Sequence, residues 1–261
     1  MRFATIIRAD DHSEAIKQKI MTTLVEGGWE YDEHRPDFVI SIGGDGTMLQ
    51  AFQQYNYQLH HVKFIAVHTG SLGFYTDWTV EELDDLLTAM LAKHYTTVGF
   101  PVLEIMMDGG CGACSYLALN ELTISDPAKT LKIDVKIDGE HFETFRGTGL
   151  CISTPSGSTG YNKSLGGAVI HPRVEAFQMT EIASINNKVY RTIGSPLVFY
   201  KKQYIDLDIQ YSNSVTVTYD HLVHDCLAVA TIRCRLHRHK AQFARFKKRP
   251  FWERVNNSFI E

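Results

Sequence analysis

No apolar run in the 261 residues approaches the roughly 20 that a membrane-spanning helix requires, so a helical membrane anchor is not expected. The opening Met1-Arg2-Phe3-Ala4-Thr5-Ile6-Ile7-Arg8 is too short for the core of a signal peptide and reads as a first strand. A cytoplasmic location follows as an expectation. Cysteine is scarce: five residues, Cys111, Cys114, Cys151, Cys226 and Cys234, odd in number and scattered, which argues against a disulfide framework and for a reducing compartment. Cys111-Gly112-Ala113-Cys114 has the spacing of zinc ligands, but no second Cys-x-x-Cys or His pair completes a set of four, and a Gly-rich loop tip is the better reading. Asp220-His221 and His224-Asp225 read as polar turns for the same reason, and no metal is assigned to protein side chains. Internal repeats and low-complexity linkers are absent.

What is present is an ordinary globular composition, 44% hydrophobic and 21% charged, enough for one large domain or two modest ones. The net charge of -4 is unevenly spread, because residues 233 to 261 hold nine Lys or Arg against two Glu. Such a basic end invites a nucleic-acid reading. Against it, Arg233-Cys234-Arg235-Leu236 alternates as a half-buried strand does, and Phe243, Phe246, Phe251 and Trp252 read as packing anchors. A solvated face or a subunit contact is expected there, and no nucleic-acid partner.

The most informative stretch is Asp37-Phe38-Val39-Ile40-Ser41-Ile42-Gly43-Gly44-Asp45-Gly46-Thr47-Met48-Leu49. Its apolar run suits a central parallel strand, and the glycines that follow cannot continue it. Without a Cβ, glycine lets an anionic ligand approach backbone N–H groups, and Thr47 then opens a helical stretch whose N-terminus favours anions. A phosphate site is the natural reading. Asp45 is the exception within it, since a carboxylate repels phosphate unless it binds a cation or takes a proton. An Asp-Gly turn with a capping side chain is the plain alternative, evenly weighted on this stretch alone.

Around it, Arg2 to Arg8 forms a strand, and Ser13 is expected to cap a helix with Ile16, Ile20, Leu24 and Val25 on one face, stopped by Gly27-Gly28. A third strand, Phe64 to Val67, leads into the loop His68 to Phe74. Thr79 and Glu82 make a capping box for a helix carrying Leu83, Leu86, Leu87, Met90 and Leu91. Alternating strands and helices imply a parallel sheet with ligands at the carboxyl ends of its strands. From about Gly99 short β segments take over. Leu131 to Ile137 alternates, Asp138-Gly139 is a hairpin turn, His141 to Phe145 returns, and Tyr204 to Ile209, Val215 to Tyr219 and Leu227 to Leu236 follow. The expected division is an α/β domain over 1–98, a mostly-β domain over 99–235, and a segment 236–261 that packs back on the first domain or makes a subunit contact.

Between those strands lies the Gly- and hydroxyl-rich run from Gly147 to Pro172, a ligand loop or an elaborate turn. Gly157 to Ser164 nearly matches a Walker A loop, but Asn162 stands at its last glycine and neither the strand before nor the helix after is suitable, so that reading is rejected.

The string Gly43-Gly44-Asp45-Gly46-Thr47 resembles the signature shared by NAD kinases, diacylglycerol- and sphingosine-type lipid kinases and, more loosely, phosphofructokinases. With Asn120-Glu121, the run Gly149 to Gly167, Gly194-Ser195-Pro196-Leu197, Asp220-His221 and Phe243-Ala244-Arg245-Phe246, nearly the whole chain is similar to the bacterial NAD kinases, which use ATP or polyphosphate. The resemblance implies a Rossmann-like α/β domain followed by a mostly-β domain, in agreement with the strand pattern. It implies transfer of a phosphoryl group to the 2'-hydroxyl of the adenosine ribose of NAD, giving NADP, with Mg2+ arriving with ATP. Asp45 would be the base, with Gly44 and Gly46 at the phosphates. Asn120 and Glu121 would bind the adenosine half. Thr159, Tyr161 and Ser164 would line the dinucleotide site, with Arg146 and Ala183 contributing from neighbouring segments. Phe74, Thr148, Ser156, Gly160, Asn162, Lys163 and His221 complete the substrate-contacting set so implied. A homo-oligomer, dimer or tetramer, is also implied. Two positions depart from the family pattern: Thr148 where it has Asp, and Gly160 where it has Ala. The rival readings are a lipid kinase sharing only the first motif and a noncatalytic dinucleotide sensor.

Overall fold

A computed structural model describes residues 1–70, 73–110, 112–210, 215–224 and 229–261. Cys111, Asp225, Cys226, Leu227 and the centre of the His68 to Phe74 loop lie outside the described residues, and with them the Cys111/Cys114 spacing and the His224-Asp225 pair.

In chain order the first elements are β1 (Arg2–Ile7), α1 (Asp11–Glu26), β2 (Glu30–Tyr31), β3 (Phe38–Ile42), α2 (Asp45–Tyr55), β4 (Lys63–His68), β5 (Trp78–Thr79), α3 (Leu83–Leu91) and β6 (Thr96–Phe100). Then come β7 (Leu103–Gly109), β8 (Cys114–Ala118), β9 (Glu121–Ser125), β10 (Leu131–Ile137), β11 (Glu140–Gly147) and β12 (Gly149–Ser153). After the short α4 (Tyr161–Ser164) follow β13 (Ala176–Ile182), β14 (Leu197–Tyr200), β15 (Tyr204–Gln210), β16 (Thr216–Tyr219), β17 (Leu222–His224) and β18 (Val229–Leu236). The chain closes with β19 (Ala241–Arg245) and α5 (Phe251–Phe259).

Two compact units result: Met1–Phe100 with His239–Glu261, and Pro101–Arg238. The first is α/β. Its sheet runs β2-β1-β3-β4-β19-β6, with β5 beside β4. β1, β3 and β4 are parallel, and β3, between its two neighbours, is buried at all five residues, as a strand covered on both faces requires. β19, from the far end of the chain, pairs parallel with β4 and antiparallel with β6.

Four local expectations are corrected. The cap of α1 is Asp10, not Ser13: Asp10 Oδ1 accepts the Ser13 N–H at 2.7 Å, the reach of an N-cap side chain three residues on. Val25 leaves the buried face of Ile16, Ile20 and Leu24 and is 51% exposed, because one further residue rotates it about 100° round the helix. Trp252 is no packing anchor but 57% exposed, whereas Phe243 is buried. The expected capping box does not open α3, whose N-cap is Glu82: Thr79 ends the two-residue β5, and Glu82 Oε2 accepts its N–H at 3.0 Å.

The basic C-terminal stretch spends much of its charge inside the units. Arg245 and Arg254 both pair with Asp77, and Lys247 and Arg249 with Glu82. Arg233 and Arg235, in the second unit, pair with Asp206 and Glu104.

The second unit is two antiparallel six-stranded sheets, β11-β10-β15-β18-β7-β8 and β14-β13-β12-β9-β16-β17, around one apolar core. Period-two alternation sends Ile133 and Val135 of β10 and Ile205 and Leu207 of β15 inward. The expected Asp138-Gly139 turn has both residues at positive φ, +52° and +88°, as a two-residue hairpin of this hand demands.

Candidate active site

In the first unit the site is built at the end of β3. Gly44 is the N-cap of α2 and Asp45 its first residue, so the helix opens two positions before the expected Thr47. Gly44 and Gly46 are exposed, and a Cβ on either would meet no atom of the described residues within 4 Å, so among these the backbone at the helix N-terminus is uncovered. The Asp45 side chain does not cap the helix. It crosses instead to the next loop, where Oδ2 accepts the Phe74 N–H at 2.8 Å and Oδ1 the Tyr75 N–H at 3.1 Å. Gly73 makes this approach possible, since a Cβ there would stand 2.2 Å from Asp45 Oδ1. The plain alternative of a capping Asp-Gly turn is therefore not what this carboxylate does. Each oxygen holds one amide bond and keeps a second lone-pair site.

In the second unit Asn120 and Glu121 stand where β8 hands the chain over to β9. Asp220, at φ +51° in the turn between β16 and β17, accepts the backbone N–H groups of Leu119 at 3.0 Å and Asn120 at 2.7 Å. The Leu119 carbonyl accepts the hydroxyls of Thr154 at 2.6 Å and Ser156 at 2.9 Å. Gly157 lies flat on the same corner, since a Cβ would come within 2.1 Å of Asn120 O. Glu121 Oε2 is buried with no hydrogen-bond partner among the described residues. Burial, with the Asp220 carboxylate adding repulsion, pushes the Glu121 carboxyl up to about 8.

The glycine- and hydroxyl-rich run is not one loop. It begins as β12, buried throughout, and its polar side chains then largely satisfy one another. Ser158 Oγ donates to Pro155 O at 2.6 Å and accepts the Ile170 N–H at 2.9 Å. Asn162 is fully buried, its Nδ2 donating to Ser158 O at 3.3 Å and its Oδ1 accepting Thr180 Oγ1 at 2.8 Å. From there the Asn162 side chain braces the loop. Ser156 and Thr159 are buried too, whereas Gly160, Tyr161, Lys163 and Ser164 are exposed. Tyr161 is 45% exposed and so is not a core aromatic.

The remaining expected residues of this unit are Thr148, Arg146, Ala183 and His221. Thr148 links β11 to β12, its O accepting the Asp126 N–H and its N–H donating to Ile182 O, both at 3.0 Å. Arg146 stacks its guanidinium 4.0 Å from the Tyr190 ring centroid, and Ala183 is exposed at φ +47°. His221, in the β16–β17 turn, is exposed, and partial desolvation of its ring by neighbouring atoms draws the imidazole below its ordinary value.

Residues 6–95 match the ATP-NAD kinase N-terminal domain and residues 119–245 the ATP-NAD kinase C-terminal domain. NAD kinase 1 of Oceanobacillus iheyensis is 48% identical over 263 residues, covering 100% of this chain and 98% of the relative. NAD kinase of Geobacillus stearothermophilus is 50% identical over 261 residues, covering 99% and 96%. The chain belongs to the NAD kinase family. Among solved structures, yeast NADH kinase complexed with NADH aligns with a TM-score of 0.87 at 19% identity, over 100% of this chain and 88% of that one. An NAD kinase from Archaeoglobus fulgidus in complex with ATP aligns at 0.76 and 24% identity, over 98% of each. At these identities the likeness is one of fold.

As a member of the NAD kinase family the chain is a phosphotransferase, and its two departures now have surroundings. A Cβ at Gly160 would lie 3.3 Å from Gly157 O and 3.6 Å from Glu121 Oε2, so the missing methyl leaves room directly over the Glu121 carboxyl. Thr148 is half-buried between two backbone hydrogen bonds. Sequence reasoning missed Gly73, Tyr75 and the structural part played by Asp220. The first had a signal, the second of two glycines in a loop following a parallel strand; the amide of Tyr75 had none, because backbone donors are the same in every residue.

Proposed function

We propose that this chain transfers the terminal phosphoryl group of ATP, or of polyphosphate, to the 2'-hydroxyl of the adenosine ribose of NAD, making NADP. The observation that carries the reading is Asp45: an uncapped carboxylate beside two open glycines at a helix N-terminus, held by the Phe74 and Tyr75 amides, in a chain about half identical to NAD kinases. Phosphoryl transfer needs alignment and charge neutralisation more than covalent help. Asp45 orients the attacking hydroxyl and accepts its proton on a free lone pair. The open amides at Gly44 and Gly46 approach the phosphates.

Asn120 and Glu121 bind the adenosine half, on a corner fixed by Asp220 and Ser156. Thr159, Tyr161, Lys163 and Ser164 line the dinucleotide site, with Arg146, Thr148, Gly160, Ala183 and His221 around them and Phe74 beside Asp45. Mg2+ arriving with ATP would supply charge neutralisation for the transfer. Among the described residues no group of three or more His, Cys, Asp or Glu could hold a metal.

A homo-oligomer, dimer or tetramer, belongs to the same reading. Its support is a stretch of the second unit where Val189, Ile193, Val198 and Tyr200 are 76%, 47%, 55% and 59% exposed. A cytoplasmic location is proposed from the free thiols Cys114, Cys151 and Cys234. The deciding experiment incubates the purified protein with NAD, Mg2+ and either ATP or polyphosphate and assays NADP. No NADP with either donor, from protein that still binds NAD, would leave a noncatalytic sensor in its place; phosphorylation of diacylglycerol would leave a lipid kinase.

A further inference from the structure

The loop that holds Asp45 is itself held from the other end of the chain. Arg254, on α5, is buried, and its Nη1 donates to the carbonyls of Phe74 and Thr76, each at 2.9 Å, and of Gly73 at 3.5 Å. Its Nη2 pairs with the buried Asp77, whose other oxygen takes Arg245. Two peptide groups are thus engaged at both ends. In the first, Gly73 C=O faces the guanidinium and Phe74 N–H faces Asp45; in the second, Phe74 C=O faces the guanidinium and Tyr75 N–H faces Asp45. A cation on one side and a carboxylate on the other align the same two dipoles, and each bond strengthens the next. Phe259 of the same helix stacks on Phe74, ring centroids 5.6 Å apart.

We propose that Arg254 is a positioning residue, which through the 73–74 and 74–75 peptide groups sets where the Asp45 carboxylate stands. Its bearing on turnover rests on the proposed function, in which Asp45 is the base; its bearing on the loop does not. A role in stability alone would loosen the fold without singling out these peptide groups. Lysine at this position keeps a charge for Asp77 but lacks the planar fork that spans the carbonyls and the carboxylate together.

The test is made on the full chain with Arg254→Lys and Asp45→Asn. Hydrogen exchange at the Phe74 and Tyr75 amides should speed up in both variants while the β3 and β4 amides stay as in the wild type. With ATP, Mg2+ and NAD, Arg254→Lys should lose about 10- to 100-fold in kcat with KM values within about twofold, since small misplacement of a reacting group costs rates of this order. Should the lysine variant not fold, Phe259→Ala removes a ring that is 40% exposed and loosens the same loop; it should move the same two amides and kcat, by less. Wild-type exchange at both amides in the variant that folds would overturn the proposal, as would wild-type kcat in an active enzyme. Should the wild type make no NADP, the functional reading falls alone and the amide measurement still decides the role of Arg254.

Discussion

Asp220 holds Asn120 in place by its backbone: the carboxylate accepts the Asn120 N–H at 2.7 Å and that of Leu119 at 3.0 Å, from a turn position at φ +51°. Two donors on one carboxylate fix the corner at which β8 ends and β9 begins. The side chains of Asn120 and Glu121 are therefore aimed by a residue a hundred positions away in sequence. Asp220→Asn keeps the tolerance for positive φ but offers one acceptor oxygen where two are used. One of the two N–H groups is left unpaired, at a cost of about 1 to 3 kcal/mol, read as a lower urea midpoint with an unchanged slope. A midpoint equal to the wild type would mean that the corner holds without this carboxylate.

Glu121 makes stability depend on pH. Its carboxyl is raised by burial, and by Asp220, from the ordinary 4.5 to about 8. Between these values the folded chain keeps a proton that the unfolded chain has lost, so the folded state binds more protons and stability falls as pH rises. The whole loss is in place above about pH 8. Glu121→Gln has no proton to lose and should gain on the wild type by a few kcal/mol between about pH 5 and pH 8.5. Urea titrations of both proteins at several pH values measure the difference, and parallel curves would show that Glu121 ionises freely in the folded state.

Asp45→Asn tests the proposed base. An amide preserves size but accepts no proton from the hydroxyl, so turnover should fall by about 10²- to 10⁴-fold. The same change turns an amide –NH2 toward the Phe74 or the Tyr75 N–H, and one of those hydrogen bonds is lost. NAD binding should survive, which calorimetry checks alongside an NADP assay. Turnover like the wild type would make Asp45 only the strut of its loop.

What could be read in advance follows from how far each signal travels along the chain. The β3 run, its glycine turn and the β10–β11 hairpin are set by adjacent residues, and their alternation and turn chemistry stand in the sequence. β19 was not legible as a sheet strand, because its place is set by partners at Lys63 to Phe64 and Thr96 to Phe100. Asp45 was singled out as an unusual charge, yet its partners are backbone amides, which leave no mark on composition. Arg254 was hidden in a basic stretch that reads as a solvated face, although it and Asp77 are among the most buried charged residues. In the run Gly147 to Pro172, hydroxyl density suggested ligand contacts. Much of it, through Ser158, Asn162 and Thr154, goes to satisfying polar groups that burial would otherwise leave unpaired.

Thr148 offers the last test, at a position where the bacterial NAD kinase pattern carries Asp. The residue is half-buried between β11 and β12, tied by its backbone to Asp126 and Ile182. A backbone held on both sides leaves the side chain free to change without moving the strands. The family resemblance implies that it lies beside the nicotinamide carboxamide of NAD, and on that implication a carboxylate would accept a stronger hydrogen bond than a hydroxyl and sit favourably near the cationic ring. Thr148→Asp should then tighten NAD binding by about 1 kcal/mol, the usual advantage of a charged over a neutral partner in a partly wet site. NADH, lacking the positive ring, should gain less. Calorimetric titration of wild type and variant with both nucleotides supplies the four dissociation constants. Unchanged or weaker NAD binding by a folded variant would remove Thr148 from the nicotinamide side and with it the assignment of the residues around Gly149.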